Sequence, residues 1–162
     1  MENVKFNKFL DNAQILNKRF GITPLLYGSL GLEVLTDSDL SSDDIDILIP
    51  SRYVEGDDWE ELKQFLEQFG YVLIDEHEHT FLKDDIHYSY AKIEGLKNFA
   101  NTCEEDIKIY QQEDAQYKLL SLEQYLRVYE SSLSDEYRMN VFKKSAKDKE
   151  KILFIKSKLN MF

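Results

Sequence analysis

Leu25-Leu26-Tyr27-Gly28-Ser29, then fourteen residues, then Asp44-Ile45-Asp46-Ile47-Leu48-Ile49 closed by Pro50, is the stretch whose reading decides this chain. The short apolar run ending in Gly28-Ser29 predicts a strand and a tight turn, followed by a brief helix over Leu30 to Leu35. Asp37 to Asp43 is rich in Asp and Ser and reads as a polar loop. The alternating run Asp44 to Ile49 predicts a second strand, which Pro50 ends. In a strand alternate side chains share a face, so Asp44 and Asp46 project together while Ile45 and Ile47 enter the core.

Two carboxylates at that spacing repel each other unless a cation lies between them. Mg²⁺ suits such a pair, because it takes a few carboxylates and completes its shell with water and phosphate oxygens. Gly28 lets the backbone approach a ligand without a Cβ. Ser29 offers a hydroxyl and an N–H at a helix start, where the peptide dipoles favour phosphate. The expectation is therefore a metal held by Asp44 and Asp46, as one ion or a two-ion pair, with a triphosphate on Gly28 and Ser29.

Outward from this stretch, Phe6, Phe9, Leu10, Ala13, Leu16 and Phe20 recur at helical spacing, with Gly21 as the stop. Trp59, Leu62, Phe65, Leu66 and Phe69 carry a second apolar stripe that ends at Gly70. Strands are predicted over Tyr71 to Ile74, His79 to Leu82 and Ile86 to Ile93, with Lys83-Asp84-Asp85 turning the last pair. Two more short strands, Ile107 to Tyr110 and Tyr117 to Leu120, precede Ser121-Leu122-Glu123-Gln124, a capping-box signature that opens a helix. Leu122, Tyr125, Leu126 and Tyr129 give that helix its stripe. Tyr137 and Val141, then Ile152, Ile155 and Leu159, extend helix to the end. The fold class expected is α+β, a mixed sheet flanked by helices with a helical C-terminal tail. The organisation expected is one domain over 1–162, divided into an α/β core at 1–120 and C-terminal helices at 121–162.

The Gly-Ser turn, the spacer and the Asp-hydrophobic-Asp strand resemble the nucleotidyltransferase superfamily of the DNA polymerase β type. That superfamily includes the head domains of CCA-adding enzymes, poly(A) polymerases and small antibiotic-modifying nucleotidyltransferases. The resemblance covers residues of roughly 20 to 110, and the tail segments Leu120-Ser121-Leu122-Glu123 and Lys147-Asp148 to Ile152 are similar to those of small members. It implies a Mg²⁺-dependent enzyme that moves a nucleoside monophosphate from a nucleoside triphosphate such as ATP to a hydroxyl of a small molecule. The family pattern also has a third carboxylate on a neighbouring strand. Here the strand beginning at Ile86 presents His87 and Ser89 on the face where an acid is expected. Asp85 shares their parity and is the candidate third catalytic acid beside Asp44 and Asp46. Glu94, at the strand's other end, is the alternative acid, and His79 and His87 are further candidates for substrate contact. Should no third acid reach the metal, the alternative is a catalytically weak or inactive nucleotide-binding or regulatory module of the same fold.

Composition sets the remaining bounds. With 31 acidic against 20 basic residues the chain carries a formal charge of −11, which repels polynucleotide backbones, so polymeric nucleic acid is not an expected partner. The partners expected are a nucleoside triphosphate and a small-molecule acceptor. The late lysines, among them Lys143, Lys144, Lys147 and Lys151, read as a solvated helix face. No run approaches the roughly 18 apolar residues of a membrane span and no secretory leader opens the sequence, so a cytoplasmic protein is expected. The lone Cys103 cannot form an internal disulfide. His77 and His79 share strand parity but have no third ligand at zinc spacing, so no zinc is expected. The acceptor, the preferred base and the oligomeric state are not fixed by these residues.

Overall fold

A computed structural model describes residues 3–138 and 145–160; Val141, Lys143 and Lys144 lie outside them. The elements run α1 (Val4–Phe20), β1 (Leu25–Tyr27), α2 (Gly28–Thr36), β2 (Ile45–Ile49), α3 (Trp59–Gln68), β3 (Val72–Asp75), β4 (Thr80–Lys83), β5 (Ile86–Lys92), α4 (Gly95–Ala100), β6 (Lys108–Gln112), β7 (Ala115–Leu119), α5 (Leu122–Arg138) and α6 (Ser145–Leu159). Short 3₁₀ turns fall at Ser51–Tyr53 and Glu104–Asp106. The chain forms two compact units: Met1–Glu94 with Lys108–Leu119, and Gly95–Ile107 with Leu120–Phe162.

The first unit carries the sheet, whose seven strands run β3-β4-β5-β2-β1-β7-β6. It is mixed: β1 pairs antiparallel with β2 and parallel with β7, and β2 pairs parallel with β5. The fold class is thus the α+β mixed sheet flanked by helices that the patterning predicts. Helix α1 begins on Asn3, whose side chain accepts the Phe6 N–H at 3.0 Å. It ends at Gly21, which adopts φ 68° in the left-handed region that a glycine reaches without a Cβ penalty. The apolar stripe of α1 packs against β7, with Phe6 and Phe9 edge-on to Tyr117 at 5.5 and 5.9 Å.

The core lies between these helices and one sheet face. Ile45, Ile47 and Ile49 of β2 and Tyr88 and Tyr90 of β5 belong to it. Burial pushes the phenols of Tyr88 and Tyr90 above the usual tyrosine range, since an ionised ring there would be without water. Tyr90 finds a partner instead in the fully buried Asn12, whose amide donates to its hydroxyl at 2.6 Å. Because the side-chain period is two, the intervening residues of β2 and β5 present the opposite face, where the candidate site lies.

The second unit is helical. Ser121 and Gln124 form the reciprocal capping box, with Gln124 N–H donating to Ser121 Oγ at 3.1 Å and Ser121 N–H donating to Gln124 Oε1 at 2.8 Å. Helix α5 packs on α4 and α6, and Ser132 Oγ donates to the buried Asp148 at 2.8 Å. Among the described residues no helix is long and apolar enough to cross a membrane.

Candidate active site

Two strand pairings place the predicted residues. Tyr27 at the end of β1 stands opposite Asp46, and Asp46 stands beside Ser89 of β5. Directly paired residues share a sheet face, so Tyr27, Asp46 and Ser89 project to the same side. Gly28 follows Tyr27 as the first residue of α2, with φ 67°. A Cβ on Gly28 would lie 2.6 Å from Asp46 Oδ2, so the turn is pressed against the carboxylate and a side chain here would have to displace it. Gly28, the N-terminus of α2 and Asp46 therefore lie together.

Asp44 precedes the first residue of β2 and keeps the parity of Asp46. Its Oδ1 lies 3.6 Å from His87 Nδ1, and both side chains are about half exposed, at 52% and 49%. His87 thus stands beside Asp44 as Ser89 stands beside Asp46. Ser89 in turn shares a 2.8 Å hydrogen bond with Thr80 of β4, where either hydroxyl can donate.

The loop before Asp44 is anchored from below by a residue that sequence reading missed. Glu33, on α2 and only 5% exposed, accepts the N–H groups of Leu40 and Ser42 at 2.9 and 3.1 Å. Its second oxygen accepts from Ser42 Oγ at 2.8 Å and from Asn3 Nδ2 at 3.3 Å. A buried carboxylate with four donors is costly to disturb, so Glu33 fixes the path of the chain into Asp44. The only signal in the sequence is an acid set within the apolar Leu30 to Leu35 run.

The two acids proposed to complete the set lie elsewhere. Asp85 occupies the β4–β5 turn with φ 62°, four residues from Ser89, or about 13 Å along an extended strand. Glu94, beyond the other end of β5, accepts the Ser51 N–H at 3.0 Å and the Ser51 hydroxyl at 3.1 Å. Burial pushes its carboxyl up, but these bonds and the nearby Lys92 outweigh that and leave it below the usual range. Neither acid joins Asp44 and Asp46, and no group of three His, Cys, Asp or Glu side chains suited to a metal occurs among the described residues. His79 does reach the site region: it adopts φ 52°, packs edge-on to Trp59 at 4.6 Å and lines the adjoining cavity.

That cavity, of about 520 Å³, also takes in Tyr27, Gly28, Asp46 and Ser89. A larger one of about 750 Å³ runs past Asn3, Lys5 and Glu33. It includes neither Gly28 nor Asp46, and its buried acid Glu33 is already engaged by the loop. Asp44 and Asp46 alternate along one sheet face, and of the two Asp46 lines the smaller cavity.

No protein-family model matches the chain. It is 44% identical over 147 residues to the uncharacterized protein YnaI of Bacillus subtilis (strain 168), across 91% of this chain and 92% of that protein. Among solved structures it is similar to an antigenic nucleotidyltransferase-like protein from Paracoccidioides brasiliensis, with a TM-score of 0.62 and 14% identity. The likeness covers 96% of this chain and 77% of that one. At that identity the likeness carries the fold, and it gives this chain a nucleotidyltransferase-like fold, in agreement with the resemblance carried by Gly28-Ser29 and Asp44-Ile45-Asp46.

Proposed function

We propose, from the fold and the residues around Gly28 and Asp46, that this chain, which belongs to the same family as Bacillus subtilis YnaI, is a Mg²⁺-dependent nucleotidyltransferase, moving a nucleoside monophosphate from a triphosphate to a hydroxyl of a small molecule. The observation that carries this reading is the contact between Gly28 and Asp46, which joins a phosphate-binding helix start to a metal-binding carboxylate.

Asp44 and Asp46 would hold Mg²⁺, which when bound neutralises charge on the phosphates and orients them. The residues of the chain do the rest by position. Gly28 clears space for the phosphate oxygens, and the Ser29 N–H and hydroxyl donate to them at the positive end of α2. Tyr27 and Ser89, flanking Asp46 on the two neighbouring strands, form the walls. Phosphoryl transfer of this kind needs mainly positioning and electrostatic stabilisation, which such a site supplies.

A second reading, nucleotide binding without turnover, is favoured by one observation: the strand position beside Asp46 carries Ser89 where the family pattern has an acid. ATP, GTP, CTP and UTP, each with Mg²⁺, separate the two when thermal stabilisation and pyrophosphate release are followed with a mixed pool of small hydroxyl compounds. Release supports the transferase. Stabilisation without release supports the binding module, and absence of both removes the triphosphate site altogether.

A further inference from the structure

We infer that the open edge of β3 is a self-association surface, on which a second copy of this chain adds its own β3 antiparallel to make one continuous sheet. This goes beyond the transferase reading and does not depend on it. β3 ends the sheet, and among the described residues its strand partner is β4 alone. An edge strand presents backbone N–H and C=O groups along its open side, and folded chains guard such edges with charged side chains, lysine above all. The opposite edge is guarded in this way: β6 sets Lys108, Gln111 and Gln112 around one exposed aliphatic residue, Ile109. β3 reads Val72-Leu73-Ile74, with no charge until Asp75.

The outward side chains of this run are not spent on the core. Val72 pairs with Leu82 and Leu73 with the buried Phe81, so Leu73 takes the core face and Val72 the other. Of the large hydrophobic side chains exposed among the described residues, Phe69, Val72 and Ile74 fall within six positions. The register with β4 shifts between Leu73 and Asp75, which ends regular pairing at Ile74 and keeps the open apolar edge short.

What fits this edge is the same edge turned around. About a two-fold axis at Leu73, Val72 of each copy meets Ile74 of the other, giving two β-branched cross-strand pairs of the kind that stabilise antiparallel strands. Asp75 then falls opposite Tyr71 of the second copy, over whose ring the Lys83 ammonium lies at 4.6 Å. One oxygen of Asp75 accepts the Glu78 N–H at 3.1 Å, which leaves the second to pair with Lys83 of the second copy. An Asp–Lys pair thus closes each end of the contact. A strand from another protein would need this same pattern, an apolar triplet with an acid after it and a cation beside its start, and the chain carries that pattern itself. Because both copies use one patch, the contact closes at two. The charge of −11 on each copy opposes approach from afar. Physiological salt screens that repulsion beyond about 8 Å, so the edge contacts decide.

The test is sedimentation velocity of the full chain, without ligand and at physiological salt, from micromolar to millimolar concentration. The expected result is a monomer–dimer equilibrium that stops at two copies. Val72→Lys and Ile74→Lys, both at exposed positions, should each raise the dimer dissociation constant about tenfold or more, since every change counts twice in a two-fold contact. Their circular dichroism should match the parent. Ile109→Lys, at the opposite edge, should leave the dimer as it was. Asp75→Lys and Lys83→Glu should each weaken it, and the two together should restore it. A chain that stays monomeric throughout, assembly beyond two copies, a dimer indifferent to Val72→Lys and Ile74→Lys, or a charge exchange that fails to restore association would each overturn the proposal.

Discussion

The backbone of Gly28 lies so close to the Asp46 carboxylate that a side chain at position 28 would have to displace it: a Cβ on Gly28 would stand 2.6 Å from Oδ2. Gly28 also sits at φ 67°, where an L side chain is strained. Gly28→Ala therefore meets two separate penalties. The left-handed conformation alone costs about 1–2 kcal/mol, and the methyl must push the carboxylate away from the helix start. We expect a measurable loss of stability in urea denaturation together with loss of Mg²⁺-triphosphate stabilisation. Retained triphosphate binding in this variant would show that the turn does not face the ligand.

Asp46→Asn tests the other half of that contact. The amide is nearly the same size, so it fits beside Gly28, but it removes the charge that would attract the cation. Stability without ligand should stay within about 1 kcal/mol of the parent, as for a conservative change at a half-buried position. Calorimetric binding of triphosphate in the presence of Mg²⁺ should disappear. Binding of unchanged strength would mean that Asp46 is only a polar strand residue.

This much of the site was legible because its signals are local. Strand alternation fixes where Asp44, Asp46, Ile45 and Ile47 point, and the glycine turn is a short-range device. The capping box at Ser121 and Gln124 was legible for the same reason. What was not legible depends on contacts distant in sequence. Asp85 has the right parity, but parity does not report distance along a strand, and the β4–β5 turn carries it four residues from Ser89. Glu94 is claimed by Ser51, 43 positions away, and Glu33 acquires its role only when the loop folds back onto α2. Helix α4 has six residues and opens on Gly95, too short and too weakly patterned to stand out. The exposure of Val72 and Ile74, at 58% and 48%, follows from the position of β3 at the sheet edge, which the order of strands decides and local composition does not.

Ser89→Asp would restore an acid beside Asp46, and its sign differs with and without metal. Like charges directly paired across strands repel, so metal-free stability should fall by a few tenths to about 1 kcal/mol. Added Mg²⁺ should recover that loss and stabilise the variant more than the parent, because a third carboxylate strengthens a hard-cation site. Thermal melts with and without Mg²⁺ read both effects. A variant that is insensitive to Mg²⁺ would mean that this sheet face does not collect the ion.

Glu33→Gln asks whether the buried anchor controls the site at a distance. The carboxylate accepts from Leu40, Ser42 and Asn3, and the amide can supply only one acceptor oxygen while turning its NH₂ toward a donor. Leaving buried donors without partners costs about 1–3 kcal/mol. The loss should appear as faster amide exchange at Leu40 and Ser42 and weaker Mg²⁺-triphosphate binding, with Gly21 and the capping box at Ser121 unaffected. Uniform destabilisation, with exchange accelerated everywhere and binding unchanged at low temperature, would make Glu33 an ordinary core contact.

The tyrosines give a pH signature. Burial is the leading cause of the raised pKa values of Tyr71, Tyr88, Tyr90 and Tyr117 in the folded chain. A tyrosine free of the fold ionises near pH 10. Above that pH the unfolded chain releases protons that the folded chain retains, so the unfolded state binds fewer protons and folding stability falls as pH rises. Below about pH 10 both states keep these phenols neutral and the effect vanishes. Titration of the phenolate absorbance should therefore show these four, Tyr90 hydrogen-bonded to Asn12 among them, ionising only together with loss of the folded circular-dichroism signal. Asn12→Ala removes the donor to Tyr90 and should bring that step to lower pH by weakening the fold. A single reversible step for all tyrosines, with the fold intact, would contradict the burial of this cluster.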